Sequence, residues 1–264
     1  TETPAPPTAT PTIKPSPTAT LTPTPVIEVN NLDLLIFGEY DQADHDIREQ
    51  IDVSADPVEI LRGQTDLIES SYASGDYQQC MDTMEDFRET LTGTDLRPNA
   101  LLSKAYYLNA QCAAELELYK AEITSLEKYL EYSPQSPIFS EVIEEAAYAY
   151  HSLEDYEMFR NYLDISSAYS ETGLNEYILL DYSLSYSYEG NKDEAITRLT
   201  DLYNNSADEN IKAAADYYLG IIYDEKGLQD QEIARYQDVV NNYPKTYYSY
   251  LALLWLLDHD QTVS

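Results

Sequence analysis

Residues 217–244 read YYLGIIYDEKGLQDQEIARYQDVVNNYP, and this stretch decides the fold. Up to Tyr223 the apolar and aromatic residues recur at three- and four-residue spacings, the signature of a helix with one apolar face. Gly227 then interrupts, a second helical pattern follows, and Pro244 ends it. Glycine permits the left-handed backbone of a tight helix end, and proline cannot continue a helix. The unit is therefore helix, tight turn, helix, breaker.

Working outward, the same turn recurs along the chain. Gly38-Glu39-Tyr40, Gly75-Asp76-Tyr77, Glu117-Leu118-Tyr119, Glu154-Asp155-Tyr156, Gly190-Asn191-Lys192 and Gly227-Leu228-Gln229 begin at intervals of 37, 42, 37, 36 and 37 residues. Pro57, Pro98, Pro134 with Pro137, Gly173 and Pro244 punctuate the ends of the units. A near-constant period means one supersecondary unit is copied. One helix pair cannot bury its apolar face alone, so neighbours stack and share a core. The spacing predicts six helix pairs plus a seventh first helix.

These residues resemble the tetratricopeptide repeat. Leu219-Gly220, Tyr223, Gly227 and Pro244 fit that family's positions, and Gly190 to Ala195 and Gly38 to Ala43 fit its turn and small-residue position. The period is longer than the family's 34 residues. The family's tryptophan is missing, and Cys80, Glu122, Phe159 and Glu232 occupy the small position in other copies. The resemblance spans roughly residues 27–257 and implies an all-α, right-handed α-solenoid over 26–264. Tyr243 to Leu253 also looks like a repeat junction in the helical superdomain of soluble lytic transglycosylases. That resemblance implies a non-catalytic scaffold in a bacterial cell-envelope protein, the N-terminal part of a peptidoglycan-cleaving enzyme. The competing expectation is a free-standing adaptor or envelope-assembly lipoprotein that binds a peptide or protein partner.

Residues 1–25 are different in kind. Nine threonines and eight prolines fill 17 of the 25 positions, which leaves too little apolar area for a core. They read as a disordered, extended tether that suits an extracytoplasmic protein, secreted or held at the envelope, with a lipid anchor upstream of residue 1 compatible with the pattern. Lysine and arginine number 15 against 48 acidic residues, a formal charge of −33. Phosphate backbones and anionic lipid are repelled by such a chain, so nucleic acid is not an expected partner. The apolar run Leu251 to Leu257 is about a third of a membrane span.

No catalytic or metal constellation stands out. His45, His151 and His259 lie in different repeats, and Asp41, Asp44, His45 and Asp46 lack the glycine and spacing of a calcium loop. The eight glycines are scattered and form no phosphate loop. Glu69-Ser70 matches the transglycosylase Glu-Ser pair, but the later Gly-Leu-Met-Gln run is absent, so Glu69 receives no catalytic role. No cofactor is expected. Cys80 and Cys112 fall on adjacent units, where they pair or remain free thiols.

The composition does offer a binding surface. There are 26 tyrosines against 4 phenylalanines and 1 tryptophan. Tyr106, Tyr150, Tyr186 and Tyr223 are expected to pack between helices. Tyr107, Tyr148, Tyr177, Tyr188 and Tyr217 are expected on the groove side of the first helices, beside Gln111, Glu144, His151, Asp181 and Asp224. Tyrosine supplies contact area at low entropic cost, so such a groove suits a cationic or apolar peptide, or stacked sugars. The last helix, Tyr247 to Leu257, carries only Ser249 as a polar non-aromatic residue. Such a helix is expected to be covered, by more of the same polypeptide or by a partner.

Overall fold

The computed structural model describes residues 31–94, 99–170 and 172–261. The expected tether and Pro98 lie outside the described residues. The described residues form thirteen α-helices and no strand. In chain order they are α1 (Asn31–Phe37), α2 (Tyr40–Val53), α3 (Pro57–Ser74), α4 (Tyr77–Thr92), α5 (Asn99–Glu115), α6 (Tyr119–Tyr132) and α7 (Phe139–Ser152). Then come α8 (Tyr156–Tyr169), α9 (Glu176–Tyr188), α10 (Lys192–Asn205), α11 (Glu209–Glu225), α12 (Gln229–Asn242) and α13 (Tyr247–Asp258). Six antiparallel pairs and one unpaired helix result, as the spacing of the turns predicts.

All six turns are built the same way. The first residue of each signal has a left-handed backbone: φ is 78° at Gly38, 82° at Gly75, 56° at Glu117, 58° at Glu154, 87° at Gly190 and 70° at Gly227. In five of them the next residue donates its amide to a carbonyl five residues back, as Leu118 does to Ala113 and Asn191 to Tyr186, both at 2.8 Å. That bond closes a helix end whose carbonyls have lost their partners. Asp76, Asp155 and Asn191 then cap the following helix by accepting the amide three residues on. Glu117 and Glu154 occupy the left-handed position without being glycine, at a cost of about 1 kcal/mol each.

Packing is one-dimensional. Each helix packs on its neighbour in sequence, and first helices also meet directly, α3 with α5, α9 with α11 and α11 with α13. The buried residues follow suit as clusters passed along the chain, from Ala43, Ile47 and Leu67 at one end to Tyr236, Val239, Ala252 and Leu256 at the other. The small-residue position is buried in every copy: Ala43, Cys80, Phe159 and Ala195 at 0%, Glu232 at 2% and Glu122 at 8% exposure. Register from the sequence is therefore right even where the residue is a carboxylate. Gly220 of α11 lies against the ring of Tyr236 on α12, and a Cβ there would meet Cε1 at 2.6 Å.

The cysteine pairing left open by the sequence is resolved. Cys80 of α4 and Cys112 of α5 form a disulfide between adjacent units, with Cα atoms 6.5 Å apart, and both residues are fully buried. The last helix, α13, is covered on one side only. Ala252 and Leu256 face the core, whereas Tyr247, Tyr250, Leu254 and Leu257 are exposed. No helix among the described residues is long and apolar enough to cross a membrane.

Candidate functional site: a belt of tyrosines and carboxylates on the first helices

The first-helix side presents a belt that begins on α5. There Tyr107 and Gln111 both reach Glu145 of α7, with Gln111 Nε2 donating to Oε2 at 2.8 Å and the Tyr107 hydroxyl approaching Oε1 at 3.5 Å. Burial raises the Glu145 pKa, and the two donors pull it partly back. Tyr148, one turn further along α7, donates its hydroxyl to Asp181 of α9 at 3.0 Å. Burial, followed by the Asp181 charge, pushes the Tyr148 phenol well above its ordinary value, so it stays a neutral donor.

From there the belt turns aromatic. His151 lies edge-on to Phe159, Tyr156 and Tyr188, with ring centroids 5.0, 5.3 and 6.1 Å away. Burial raises the pKa of Tyr218 on α11, and the Tyr248, Tyr188 and Asp181 groups add to it. Tyr218 and Tyr217 both meet Tyr248 of α13, and Tyr217 also packs on Tyr236. Tyr148 and Tyr188 remain exposed, at 37% and 54%.

Of the expected residues, the structure thus brings Tyr107, Gln111, Tyr148, His151, Asp181, Tyr188 and Tyr217 into one belt. Glu144 also lines the cleft between α5 and α7, but one of its oxygens is occupied by the Ser166 hydroxyl at 2.7 Å. Tyr217 is more deeply placed than expected, because it is wedged between Tyr236 and Tyr248 and serves the fold. Tyr177 is exposed at the start of α9 and its side chain joins none of these contacts. Asp224 stands apart, near Glu232 and Tyr236. Sequence reasoning missed Glu145, Glu122 and Tyr218. Glu122 had a signal, since a carboxylate at a small buried position is out of place.

Tyr106 and Tyr150 pack between helices as expected, against Tyr132 of α6 and Tyr162 of α8, whereas Tyr186 meets Tyr182 of its own helix. Arg160 and Arg198 lie over the Tyr186 ring, at 4.2 and 4.8 Å from its centroid. Glu69 is engaged in an ion pair with Lys104 at 2.6 Å. His45 faces only Glu49, 3.6 Å away on the exposed side of α2. Among the described residues no three His, Cys, Asp or Glu side chains converge as metal ligands do.

A family model described as the tetratricopeptide repeat matches residues 214–246, the α11–α12 unit and the turn after it. No curated protein matches the chain by sequence. Three solved structures share its shape. One is YrrB, described as a TPR protein with an unusual peptide-binding site, at 15% identity over 82% of this chain and 96% of that one, with a TM-score of 0.51. The MamA protein is 16% identical over 70% and 92%, also at 0.51. The C-terminal part of a TPR repeat-containing protein from Cytophaga hutchinsonii is 9% identical over 80% and 76%, again at 0.51. At such identities the likeness is one of fold. The chain has a tetratricopeptide-like helical-repeat fold.

Proposed function

We propose that this chain is a non-catalytic scaffold whose first-helix belt holds an extended segment of a protein partner. The observation that carries the reading is the belt itself. Tyrosines and carboxylates follow one another from Tyr107 on α5 to Tyr248 on α13, across successive first helices, with Tyr148 and Tyr188 exposed and the others partly buried. Tyrosine and carboxylate together suit a segment with apolar and cationic side chains. Repeat solenoids present such surfaces because each unit adds one row of side chains to a shared face.

The test is selection of a displayed library of 12-residue peptides against the oxidised protein. Binders are then measured by fluorescence anisotropy against wild type and a Tyr148→Ala/Tyr188→Ala variant. Both tyrosines are exposed, so the fold should survive. At least ten-fold weaker binding in the variant is expected. Unchanged affinity across the recovered peptides would remove the belt as the binding surface.

An extracytoplasmic, envelope-associated setting belongs to the same proposal. Two features support it: the Cys80–Cys112 bond, which persists in oxidising compartments, and the Pro/Thr-rich composition of residues 1–25. The narrower transglycosylase reading, in which the scaffold serves a peptidoglycan-cleaving enzyme, draws on the exposed Tyr247, Tyr250, Leu254 and Leu257 face of α13, which suits stacking of another helix pair. Reading the coding DNA beyond Ser264 tests it. Further repeats followed by a Glu-Ser pair and a Gly-Leu-Met-Gln run would favour it, and a stop codon would sink it.

A further inference from the structure

At the α5 end of the belt, between α5, α6 and α7, lies an open cleft of about 430 Å³. Gln111 and Ala114 of α5, Glu122 of α6, and Glu141, Glu144, Glu145 and Tyr148 of α7 line it, and none of these residues is basic. Four carboxyl groups thus share one concavity without a cation. Glu145 is held by Gln111 and Tyr107, and Glu144 by Ser166. Glu122 is different. It is 8% exposed, it opens onto the cleft, and its carboxyl makes no hydrogen bond or ion pair. Burying a carboxylate is costly unless something compensates it, and the nearest charge, Glu145, has the same sign.

We infer that this cleft is a cation pocket that receives the side chain of an arginine or lysine from the segment bound along the belt. A guanidinium or ammonium entering here meets Glu122 at the floor and Glu141 and Glu145 at the walls, in charge-assisted hydrogen bonds. The face of Tyr148 at the rim offers a cation–π contact. A divalent metal is a poor occupant, because no three of these groups converge as ligands. Burial, with Glu145 beside it, raises Glu122 to about 7, so an arriving cation also draws off a proton near neutrality.

The proposal rests on the belt being a peptide-binding surface, and its test is separable from the one above. The probe is the blocked pentapeptide Ala-Ala-Arg-Ala-Ala, with citrulline in place of arginine as the neutral control. Each is titrated into the protein at moderate salt while NMR follows the side-chain amide of Gln111. The arginine peptide is expected to give a saturable shift, and the citrulline peptide to bind at least ten-fold more weakly. Glu122→Gln/Glu145→Gln is expected to lose at least ten-fold. Glu85→Gln/Glu89→Gln, which replaces two glutamates on the exposed side of α4, is expected to bind as wild type. Equal binding of the citrulline peptide would overturn the pocket, as would undiminished binding by the Glu122/Glu145 variant. So would shifts spread along the chain without saturation. If library peptides still depend on Tyr148 and Tyr188 while these arms fail, the pocket falls and the belt stands.

Discussion

The Cys80–Cys112 bond gives a stability prediction whose size follows from its place in the chain. It ties α4 to α5 and closes a loop of 32-residue separation. In the chain-entropy account, a cross-link of that span destabilises the unfolded ensemble by about 3.7 kcal/mol. Little should be lost on the folded side, because both positions are fully buried among Met84, Phe87, Leu102 and Leu126, where a free thiol or an alanine packs as a small apolar group. With a urea m-value of about 2 kcal/mol/M, the Cys80→Ala/Cys112→Ala variant should unfold at a midpoint lower by about 1.5–2 M. Repeat proteins couple through nearest neighbours, so the loss should fall mainly on α1 to α6. Amide exchange should quicken there while α9 to α12 keep their protection. Far-ultraviolet dichroism gives the midpoint, and exchange read by mass spectrometry gives its location. Equal midpoints for the oxidised protein and the variant would refute the reasoning. So would two alkylatable thiols in the oxidised protein after denaturation.

Glu117→Gly and Glu154→Gly should each stabilise by about 1 kcal/mol, since the left-handed turn costs a glutamate more than a glycine; no rise in the urea midpoint of either variant would show the turns to be unstrained. Gly220→Ala should destabilise by about 1–2 kcal/mol despite alanine's better helix propensity, because its Cβ would strike Tyr236, a ring 2% exposed and held by Tyr217 and Trp255. A variant more stable than wild type would mean that the ring moves aside. Finally, the protein should be more stable at pH 5 than at pH 8. Burial raises Glu122 to about 7 and Asp216 to about 6, the latter despite its 2.8 Å pair with Arg235. Both bind a proton more readily folded than unfolded, so their contribution is complete below about pH 4 and fades as pH rises through 6 to 7. Glu122 faces Glu145, Glu141 and Glu144 of α7 and Gln111 of α5, with no base among them. Glu122→Gln should therefore flatten part of the slope, and a flat wild-type profile would contradict the assignment.

What was legible in the sequence, and what was not, follows from the range of each interaction. The turns were legible because a helix reversal needs a left-handed residue at one fixed place, and the copying interval finds that place even at Glu117 and Glu154, where glycine is absent. Pair number and buried register came with it. The belt was legible only as a face. A period of 3.6 locates a side chain to within about one residue, and one residue is a turn of about 100°. Hence the period points to Glu144 where Glu145 makes the central contacts, and to Tyr217 where Tyr218 also feels the Asp181 charge. The cysteine pairing depended on whether two buried positions in adjacent units come within bridging distance, which spacing along the chain does not encode.

The repeat also supplies an internal control for the pocket. The turns at Glu117 and Gly227 are 110 residues apart, and the same offset carries Glu122 onto Glu232, Pro134 onto Pro244 and Ala146 onto Leu256. Glu122 and Glu232 are thus the same position in two copies, and both are buried carboxylates with raised pKa values. Each has an acidic neighbour, Glu145 for Glu122 and Asp224 for Glu232, but the position 110 residues on from Glu145 is not a carboxylate. Where Glu122 has Glu145, the offset gives Glu232 a tryptophan, Trp255, stacked 4.0 Å from the His259 ring. Burial and then the Asp224 charge raise the Glu232 pKa, and His259 pulls it partly back. In the last copy a base of the same chain lies within electrostatic reach, although Glu232 Oε1 is buried without a hydrogen-bond partner. In the α5–α7 copy the space is open, the neighbours are acidic, and no internal cation answers the buried carboxyl. Burial of a carboxylate at this repeat position is therefore not what singles out Glu122. What singles it out is the open, carboxylate-lined cleft beside it, with room for a cationic side chain from outside.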